Sequence, residues 1–427
     1  MTRSMLRPHV SPIFHAMRAT AVMSFALAVA ACNGPATDDA PIPPPEALAL
    51  GAAAGSGEPK LAAGGGSDVV ASWVEFDQQD YVLRFSTLTD RQWSAPGTVA
   101  RGPDWFSNWA DLPSVVPISA DTWAAHWLVL SPDSFGAYDI HMAVSRDAGA
   151  TWSAPSLLNI DGTQTEHGFA TLFPWGEAIG VVWLDGRNYA LEDAADPASA
   201  VTGTSLRYAR ISYEGDVVER GAIDELVCEC CATDVVVTGG GPIVTYRDRS
   251  EAEIRDVVVR RHDGERWQSP VVLGPDNWQI EGCPINGSAI DAAGDDVVVA
   301  WFTAAGNEPR VRFARSADGG ASFGEAIDVD TDGSFGQVDV ALVDSGAAVV
   351  SWWRRGEADG TALVARRIAG DGALGPIVTV AESDYAQPLD VPKMASTGDG
   401  LVFVWTDLVE DGGVKSVYAD PRLLAGR

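Results

Sequence analysis

An internal repeat constrains the fold of this chain more than any other feature. A short apolar run that ends in an aromatic residue recurs along the sequence, and a polar loop follows each copy. The seven aromatic residues are Trp73, Trp127, Trp183, Tyr246, Trp301, Trp352 and Trp405. They are separated by 54, 56, 63, 55, 51 and 53 residues. Because an even period near 50 residues is typical of repeated structural units, we interpret the body of the chain as one repeat architecture.

The segments after each copy alternate apolar and polar residues and are rich in β-branched side chains, as in residues 81–85 and 311–314. A turn and a further strand come next, often opening with Trp and Pro, as in residues 93–96 and 152–155. Alternation with a period of two indicates strands, and no window keeps a 3.6-residue period. Together with the strand that precedes each aromatic residue, these segments give four strands per repeat, which is one propeller blade.

We therefore predict an all-β fold for residues 46–427, a β-propeller of four-stranded antiparallel blades. Seven blades are predicted, with six as the alternative. The seventh copy ends near Tyr418 and lacks its outer strand, which residues 46–51 are predicted to supply. Closing the ring in this way removes exposed sheet edges. With 46% hydrophobic residues, the chain can bury a large core.

The N-terminal segment differs from the repeats. A basic stretch around Arg18 precedes an apolar run from Ala21 to Ala31, and Cys32 follows directly. This order is typical of a secretory signal, and about eleven apolar residues are too few to span a bilayer. Residues 29–32, Val-Ala-Ala-Cys, resemble the lipobox of bacterial lipoproteins. The resemblance implies cleavage after residue 31 and a lipid anchor on Cys32, and a plain cleaved signal is the alternative.

The predicted organisation is a signal peptide over residues 1–31, a lipidated tether over 32–45 and the propeller over 46–427. Translation from Met17 would give a more compact signal. The tether contains a proline-rich run at residues 41–45 and is expected to be extended. Asn33 stands where the lipoprotein family uses Asp to retain proteins in the inner membrane, so the resemblance implies an outer-membrane lipoprotein. It would face the periplasm or the cell surface.

The formal net charge of the chain is −30, from 59 acidic and 29 basic residues. This charge repels phosphate backbones and anionic lipid surfaces, so nucleic acid is not an expected partner. Membrane contact is predicted through the lipid anchor only. The acidic residues are scattered and many follow Gly, as in solvated turns, and we expect a soluble, monomeric domain on the anchor.

Two predicted turns carry a second repeated pattern. Residues 145–152 read Ser-x-Asp-x-Gly-x-Thr-Trp, and residues 316–323 repeat it with Ser and Phe at the last two positions. The Asp is expected to bond the amides of its own turn, the Gly to take a positive φ, and the aromatic residue to pack under the neighbouring blade. The residues assigned to these turns are Ser145, Asp147, Gly149, Trp152, Ser316, Asp318, Gly320 and Phe323.

These turns resemble the Asp-boxes of BNR-repeat, sialidase-like propellers, and the resemblance covers roughly residues 46–425. In that family the Asp-boxes lie opposite the active site, which implies a structural role here. Sialidases bind a substrate carboxylate with three arginines and use a Tyr–Glu nucleophile pair. The loops between second and third strands share a face with the loops that enter the inner strands. On that face, the residues matched to these roles are Arg187, Arg247, Arg354, Tyr189 and Glu166.

A guanidinium donates two parallel hydrogen bonds to a carboxylate, which suits this assignment. However, the family's Phe/Tyr-Arg-Ile-Pro motif near the N-terminus is absent, and Arg alternates with Asp in these loops. Ion pairs that brace the loops are therefore the alternative interpretation of the three arginines.

Four cysteines remain if Cys32 is lipidated. Blades four and five are neighbours, so an exported protein is predicted to contain a disulfide between Cys231 and Cys283, with Cys230 as the alternative to Cys231. A metal site is a second possibility, because Cys228, Cys231, Cys283 and His167 form a set that suits zinc or copper. Unpaired thiols or redox chemistry complete the alternatives.

Residues 328–333, Asp-Val-Asp-Thr-Asp-Gly, place acidic side chains with the spacing of a calcium loop, and Asp339 occupies the twelfth position. No helix is predicted on either side and Asp339 falls within a predicted inner strand. An acidic turn is therefore the alternative to a calcium site.

Three hypotheses for function follow. The first is an exported propeller that binds a glycan or another small anionic ligand on its channel face. The second, which the family resemblance implies, is an exo-α-sialidase-type glycoside hydrolase. The third is a metal-binding or redox protein built on the cysteines and His167. No cofactor is required by the first two hypotheses, and zinc, copper or calcium would serve only the sites described above.

Overall fold

The structure is a computed structural model that describes residues 44–63, 69–132, 134, 136–191, 202–343, 346–357, 360–409, 412–420 and 422. These residues belong to one compact unit that spans positions 42–427. The predicted signal peptide, Cys32 and nearly all of the predicted tether lie outside the described residues. Within the described part of the chain, no helix has the length and apolar character needed to cross a membrane.

The strands form seven antiparallel sheets, and each sheet is one blade. Blade 1 contains β2 (Gly57–Ala63), β3 (Val69–Asp77), β4 (Asp80–Thr89), β5 (Gln92–Trp93) and β6 (Gly97–Gly102). Blade 2 contains β7 (Ser114–Pro117), β8 (Trp123–Leu130), β9 (Tyr138–Ser145) and β10 (Ser156–Leu157). Blade 3 contains β11 (His167–Pro174), β12 (Ile179–Asp185), β13 (Thr204–Ile211) and β14 (Val217–Val227).

Blade 4 contains β15 (Asp234–Thr238), β16 (Gly241–Arg247), β17 (Val257–Arg261) and β18 (Val271–Val272). Blade 5 contains β19 (Ser288–Ala293), β20 (Asp296–Thr303), β21 (Arg310–Ser316) and β22 (Ile327–Asp330). Blade 6 contains β23 (Ser334–Val343), β24 (Ala347–Arg355), β25 (Thr361–Ile368) and β26 (Leu374–Ser383). Blade 7 contains β27 (Lys393–Ser396), β28 (Leu401–Asp407), β29 (Gly413–Ala419) and β1 (Glu46–Ala47). Within the described residues, the short 3₁₀ turns Arg187–Leu191 and Ala305–Asn307 lie in loops between strands.

The blades are arranged in a closed ring. The first strand of each blade is the inner one, and it contacts the inner strands of both neighbouring blades, including β27 with β2. The prediction of a seven-bladed propeller of antiparallel sheets is therefore confirmed. Blade 1 departs from the four-stranded pattern because β5 and β6 both pair with β4.

The chain closes the ring with its own N-terminal strand. β1 is the outer strand of blade 7 and pairs antiparallel with β29, with Glu46 opposite Tyr418 and Ala47 opposite Val417. The amide of Leu48 adds a hydrogen bond to the carbonyl of Ser416 at 2.8 Å. The outer edge of the last blade is thus covered by residues from the beginning of the chain, as the missing strand in the seventh repeat predicted.

The hydrophobic core lies between blades rather than inside any one of them. The repeated aromatic residues stand on the second strand of each blade, and Trp73, Trp301 and Trp352 are fully buried. One cluster joins Val70 and Phe85 of blade 1 to Trp123 of blade 2, and comparable clusters fill the other blade interfaces. A single repeat cannot bury these faces alone, so the ring is the folding unit.

Acidic side chains on the inner strands connect consecutive blades. Asp234 accepts a hydrogen bond from the amide of Ile290 at 3.1 Å, and Asp291 accepts one from Leu342 at 2.7 Å. Asp339 in turn accepts one from Met394 at 2.7 Å. These bonds satisfy amides that would otherwise face the channel, so part of the acidic composition serves the assembly of the ring.

The proposed calcium loop does not gather its carboxylates. Asp328 receives the guanidinium of Arg312 at 2.9 Å, whereas Asp330 accepts the indole proton of Trp352 at 2.9 Å. Asp339 is an inner-strand residue bound to the next blade. Asp328, Asp330 and Asp339 thus have separate protein partners, and the side chain of Asp332 is 96% exposed, so the structure favours the acidic-turn interpretation of this segment.

The two turns assigned as Asp-boxes share one hydrogen-bond pattern. In the first, Asp147 accepts bonds from the amide and hydroxyl of Thr151, and the hydroxyl of Ser145 binds the amide of Gly149. The same bonds recur in blade 5. There Asp318 accepts from the amide and hydroxyl of Ser322, and the hydroxyl of Ser316 accepts from the amide of Gly320. Gly149 has a φ of +85° and Gly320 one of +76°. Both turns join the third strand of a blade to its outer edge, at the end of the molecule where inner strands finish.

Candidate functional site

Loops from different parts of the chain meet where the inner strands begin. In blade 3 the amide of Gly186, after the second strand, binds the carbonyl of Glu166, which precedes the inner strand, at 2.9 Å. In blade 4 the amide of Cys228 binds the carbonyl of Arg247 at 3.0 Å. The two classes of loop therefore share one face, as expected from the strand order. We call this side of the ring the entry face.

A cleft of about 390 Å³ opens on the entry face between blades 2, 3 and 4. It is lined by Gly136, Ala137, Gln164, Thr165, Glu166, Tyr189 and Glu229. Tyr189 stands on the 3₁₀ turn after β12, and 40% of its surface is exposed. The structure thus brings Tyr189 and Glu166, two of the predicted site residues, into one cleft. We call it the Tyr189 cleft.

The Tyr189 cleft is acidic. Partial burial, together with the negative charge of Glu229, raises the pKa of Glu166 above its ordinary value. Glu229 itself is held by Arg255 at 2.7 Å, and Arg249 lies 3.6 Å from it. The environment of Glu166 therefore favours its protonated form, whereas the carboxylate of Glu229 is paired with Arg255.

Arg187, which shares the 3₁₀ turn of Tyr189, belongs to a separate polar cluster. Its guanidinium donates two bonds of 2.7 Å to Asp185 and lies 3.0 Å from Asp161. His167 is fully buried beside them, with Nε2 at 3.2 Å from Asp161. Burial alone would lower the pKa of His167, but the bond to Asp161 and the charges of Asp185 and Asp161 outweigh it and raise that pKa. Arg187 is thus already paired with two carboxylates.

Arg247, predicted to bind a substrate carboxylate, lies in the interior. Its guanidinium donates to the carbonyls of Arg255 at 2.7 Å, Phe302 at 2.7 Å and Asn286 at 3.0 Å. The residue is 1% exposed. Because its guanidinium already donates hydrogen bonds to backbone carbonyls of blades 4 and 5, Arg247 is a structural residue. This corrects its assignment to the channel mouth.

Arg354 is also bound to its surroundings, since it donates to the carbonyl of Asp332 at 2.9 Å and lies 3.8 Å from Asp330. The three predicted arginines therefore do not present three free guanidinium groups. The structure favours the alternative stated from the sequence, in which arginines of the entry face brace loops through ion pairs and backbone bonds.

Sequence reasoning missed two buried acids beside the predicted residues. Burial raises the pKa of Glu58 to about 8, with the charge of Asp111 acting in the same direction against the hydrogen bond from Ser107. Burial likewise raises the pKa of Asp111 to about 7. Glu58 lines a second cleft of about 330 Å³ beside Trp109. No sequence signal distinguishes these acids from the many solvated ones, because burial depends on loops of other blades.

With Glu166 and Glu229, these two acids form an arc along the entry loops of blades 1 to 4. Glu58 stands at the start of β2, and Asp111, Glu166 and Glu229 precede β7, β11 and β15. Neighbours along the arc interact electrostatically. The charge of Asp111 raises the pKa of Glu58, that of Glu166 raises the pKa of Asp111, and that of Glu229 raises the pKa of Glu166. Four acidic side chains therefore line the entry loops of blades 1 to 4, and burial keeps a large share of Glu58 and Asp111 protonated near neutral pH.

The central channel, which the inner strands of the blades line, has a volume of about 640 Å³. Its polar lining includes Lys60, Lys393, Asp234 and Asp339. Burial, followed by the charge of Lys393, lowers the pKa of Lys60 to about 8. Lys393 lies 3.8 Å from Asp339. The channel wall thus carries both signs of charge, in contrast to the acidic entry loops.

The cysteines pair differently from the first prediction. The disulfide joins Cys230, the predicted alternative, to Cys283 with a Cα–Cα distance of 6.1 Å. Cys231 instead lies beside Cys228, with the sulfur atoms 2.7 Å apart. The reason is the direction of the loop, which leaves Cys230 half-buried toward blade 5 and turns Cys228 and Cys231 into the interior.

The predicted zinc or copper set does not come together in the described residues. Cys228, Cys230 and Cys231 form one group of potential ligands, and His167 belongs to another with Asp161 and Asp185. Cys283 is consumed by the disulfide. In the histidine group, the guanidinium of Arg187 already supplies the positive charge that a cation would bring. The four predicted ligands therefore do not form one metal site in this arrangement.

Burial alone would raise the pKa of Cys228, but the bond to Cys231 and the positive charge of Arg247 lower it to about 7. The pKa of Cys231 is raised by burial and by its bond to Cys228. Arg255 donates to the sulfur of Cys228 at 3.5 Å. Cys228 is thus the thiol of the pair that ionises first.

No family model matches the sequence, and no curated protein matches it. Among solved structures, an ulvan lyase of polysaccharide lyase family PL25, bound to a GlcA–Rha3S oligosaccharide, has a TM-score of 0.53 and 11% identity over 89% of this chain and 96% of its own. A protein of unknown function from Dyadobacter fermentans DSM 18053 has a TM-score of 0.50 and 12% identity over 89% and 99%.

The NanB sialidase of Streptococcus pneumoniae, as its K499G mutant, has a TM-score of 0.44 and 10% identity over 87% of this chain and 69% of its own. At such identities the likenesses to the ulvan lyase and to the Dyadobacter fermentans protein show the fold alone. Because propellers of this kind support different reactions, function has to be argued from the entry face. The chain has a propeller fold that is also found in an ulvan lyase.

Proposed function

We propose that the protein is a glycan-binding propeller whose ligand occupies the Tyr189 cleft. The observation that carries the proposal is the combination of a 40%-exposed aromatic ring with amide, hydroxyl and carboxylate groups in a cleft of about 390 Å³. Sugar rings present an apolar face and a rim of hydroxyl groups. Tyr189 can cover the apolar face, and Gln164, Thr165 and Glu166 can bond the hydroxyl groups.

The charge of the site favours a neutral glycan over an anionic one. Glu166 and Glu229 line the cleft, and the guanidinium groups of Arg187 and Arg255 beside it are already paired with carboxylates. An anionic sugar would have to displace one of these ion pairs or approach the carboxyl groups of Glu166 and Glu229 without a free cation to compensate its charge. We therefore place neutral oligosaccharides ahead of the anionic ligands that the sequence suggested.

The test is a binding screen of the full-length protein against immobilised neutral oligosaccharides and sialosides. Tyr189→Ala should weaken binding of a neutral hit about tenfold, equivalent to about 1.4 kcal/mol. Tyr385→Ala is the matched control, because Tyr385 is 39% exposed but lies outside the cleft. If no neutral glycan binds, or if both variants bind equally well, the proposal is wrong.

Hydrolysis of a glycosidic bond in the same cleft is the second candidate, and the raised pKa of Glu166 beside Glu229 favours it. Two carboxyl groups on one cleft, as Glu166 and Glu229 are, form the kind of pair that glycosidases use. Release of nitrophenol from neutral glycosides, abolished by Glu166→Gln, would support an enzyme. A sialidase-type reaction would also require release from a sialoside, although Arg187, Arg247 and Arg354 do not assemble a free arginine cluster.

We further propose that the protein is exported and lipid-anchored at Cys32, since residues 29–32 resemble a lipobox and an apolar run precedes them. In a Gram-negative host, radiolabelled palmitate should be incorporated and the protein should fractionate with the outer membrane. Cys32→Ser should abolish both. Incorporation of label into the Cys32→Ser variant would contradict the proposal.

A further inference from the structure

The four cysteines at the entry to blades 4 and 5 form two sulfur pairs that differ in exposure. The Cys230–Cys283 disulfide reaches the surface, because Cys283 is exposed and Cys230 is half-buried. The other pair is internal, with Cys228 0% and Cys231 1% exposed. The glycan site proposed above uses none of the four.

Cys228 contacts both pairs. Its sulfur lies 2.7 Å from the sulfur of Cys231 and 4.0 Å from that of Cys230. A thiolate breaks a disulfide by attacking one of its sulfur atoms, and a separation of 4.0 Å is close to van der Waals contact. A small rotation of the Cys228 side chain would therefore bring the attacking atom to the disulfide.

The surroundings of Cys228 favour a thiolate over a metal-bound sulfur. Arg255 donates to this sulfur at 3.5 Å, and the guanidinium of Arg247 is buried nearby and also stabilises the negative charge. Two guanidinium groups stabilise an anion and repel a divalent cation at the same position. The one acidic side chain within the cysteine segment, Glu229, is bound to Arg255 at 2.7 Å.

We propose that the four cysteines form a dithiol–disulfide relay that moves two electrons between the protein interior and its surface. The Cys228 thiolate attacks the sulfur of Cys230, so that a Cys228–Cys230 bond forms and Cys283 leaves as a thiolate. Cys231 then loses its proton and attacks Cys228, which forms the Cys228–Cys231 disulfide and releases Cys230. The protons of the buried dithiol end on Cys230 and Cys283.

The relay exchanges with the outside through Cys283. In the reduced state of the surface pair, the Cys283 thiolate attacks an external disulfide and releases one of its thiols. Cys230 then resolves the mixed disulfide, releases the second thiol and restores the Cys230–Cys283 bond. The net reaction oxidises the buried dithiol and reduces one external disulfide, and an external dithiol reverses it.

The decisive experiment starts from the full-length protein with both pairs oxidised by diamide. One equivalent of a phosphine reductant reaches the exposed Cys230–Cys283 bond first. After acid quenching, unfolding in guanidinium chloride, alkylation with N-ethylmaleimide and peptide mapping without reduction, the relay predicts alkylated Cys228 and Cys231 as well as alkylated Cys230 and Cys283. If alkylation stays on Cys230 and Cys283, the two pairs do not exchange and the proposal fails.

A matched pair of variants tests the first step alone. In Cys231→Ser, Cys228 can still displace Cys283. In Cys228→Ser the thiol left near Cys230 is Cys231, which lies within 4.8 Å of it but is a poor nucleophile because burial raises its pKa. Alkylation of Cys283 in the unreduced protein should be at least about tenfold greater in Cys231→Ser. Equal labelling, or a stoichiometric amount of zinc or copper bound by the wild-type thiols, would overturn the relay. Unchanged near-ultraviolet circular dichroism confirms folding, and the wild-type experiment decides the question if either variant does not fold.

Discussion

At the scale of single residues, Arg247 shows how one side chain can connect two blades. It stands at the end of the second strand of blade 4, and its guanidinium donates to three carbonyls in the loops and strands of blades 4 and 5. The guanidinium also lies over the ring of Trp278, with its carbon 5.0 Å from the ring centroid. A lysine in its place could not supply the same planar set of donors.

We expect Arg247→Met to lower the free energy of unfolding by about 3 kcal/mol or more, because it leaves buried carbonyls without partners. Arg354→Met, which removes a more exposed guanidinium, should cost under about 1 kcal/mol. Urea denaturation of the two variants measures both values. Similar losses for both variants would show that Arg247 is not the structural residue described above.

Glu58 makes stability depend on pH in an unusual direction. Its pKa rises from 4.5 in the unfolded chain to about 8 in the folded protein. Between these values the folded state keeps a proton that the unfolded state releases, so the free energy of unfolding falls as pH increases from about 4.5 to 8. Above the folded pKa this contribution no longer changes.

Glu58→Gln should therefore flatten the decline between pH 5 and 8 and stabilise the protein at pH 8, by an amount of the order of several kcal/mol. Glu75→Gln is the control of opposite sign. The bonds from Trp73 and Arg84 outweigh burial and lower the pKa of Glu75, so this substitution should destabilise the protein at neutral pH. Unfolding measured across this pH range checks both. If the free energy of unfolding of Glu58→Gln still falls between pH 5 and 8, a group other than Glu58 causes the pH dependence.

At the scale of elements, the closing strand β1 is the segment whose loss should destabilise the whole ring. β1 has only two paired residues, and the bond from Leu48 to the carbonyl of Ser416 extends its attachment. Leu48 also packs against the cluster between blades 7 and 1. The strand therefore contributes hydrogen bonds and apolar contacts at the point where the two ends of the domain meet.

Leu48→Pro removes the amide that binds Ser416 and should lower the free energy of unfolding by about 2 to 3 kcal/mol. Leu48→Ala keeps that amide and isolates the loss of packing. Denaturation curves compare the two variants, and size-exclusion chromatography reports association through the exposed edge. If the proline variant is no less stable than the alanine variant, the N-terminal strand does not hold the ring closed.

At the scale of the whole molecule, charge opposes the fold. The formal net charge of the chain is −30, from 59 acidic and 29 basic residues. Repulsion among like charges destabilises a compact state, and salt screens it over about 10 Å at 0.1 M ionic strength. Specific ion pairs such as Arg187–Asp185 respond to salt in the opposite sense.

Raising sodium chloride from about 0.02 to 0.5 M should therefore increase the Tm by a few degrees, because general repulsion outweighs the surface pairs. Differential scanning calorimetry measures the shift. A decrease in Tm with salt would mean that local ion pairs dominate the electrostatics of this propeller.

The repeat made the fold predictable. Trp73, Trp301 and Trp352 are buried because a period of about 50 residues places one aromatic residue on the second strand of every blade. The closing role of residues 46–51 followed from the strand that the seventh repeat lacks. The likeness to BNR-repeat propellers, the Cys32 anchor and the glycan ligand stay predictions, and the shared bonding of Asp147 and Asp318 supports the first of them.

The site was predictable only in part. Tyr189 and Glu166 were found because the strand order puts their loops on one face, and they share a cleft as a result. Arg247 was misplaced because sequence alone does not show whether a loop guanidinium turns outward to a ligand or inward to carbonyls of the next blade. The choice between Cys230 and Cys231 had the same origin, since adjacent residues point in different directions.

By itself, then, the sequence determined the period, the strands and the ring, because apolar alternation and repeat length act along the chain. The tertiary structure decided which polar groups are available to a ligand, a proton or a disulfide. Burial, hydrogen-bond partners and nearby charges are contributed by loops that are distant in sequence. The raised pKa of Glu58 and the paired state of Arg187 exist only once those loops have met.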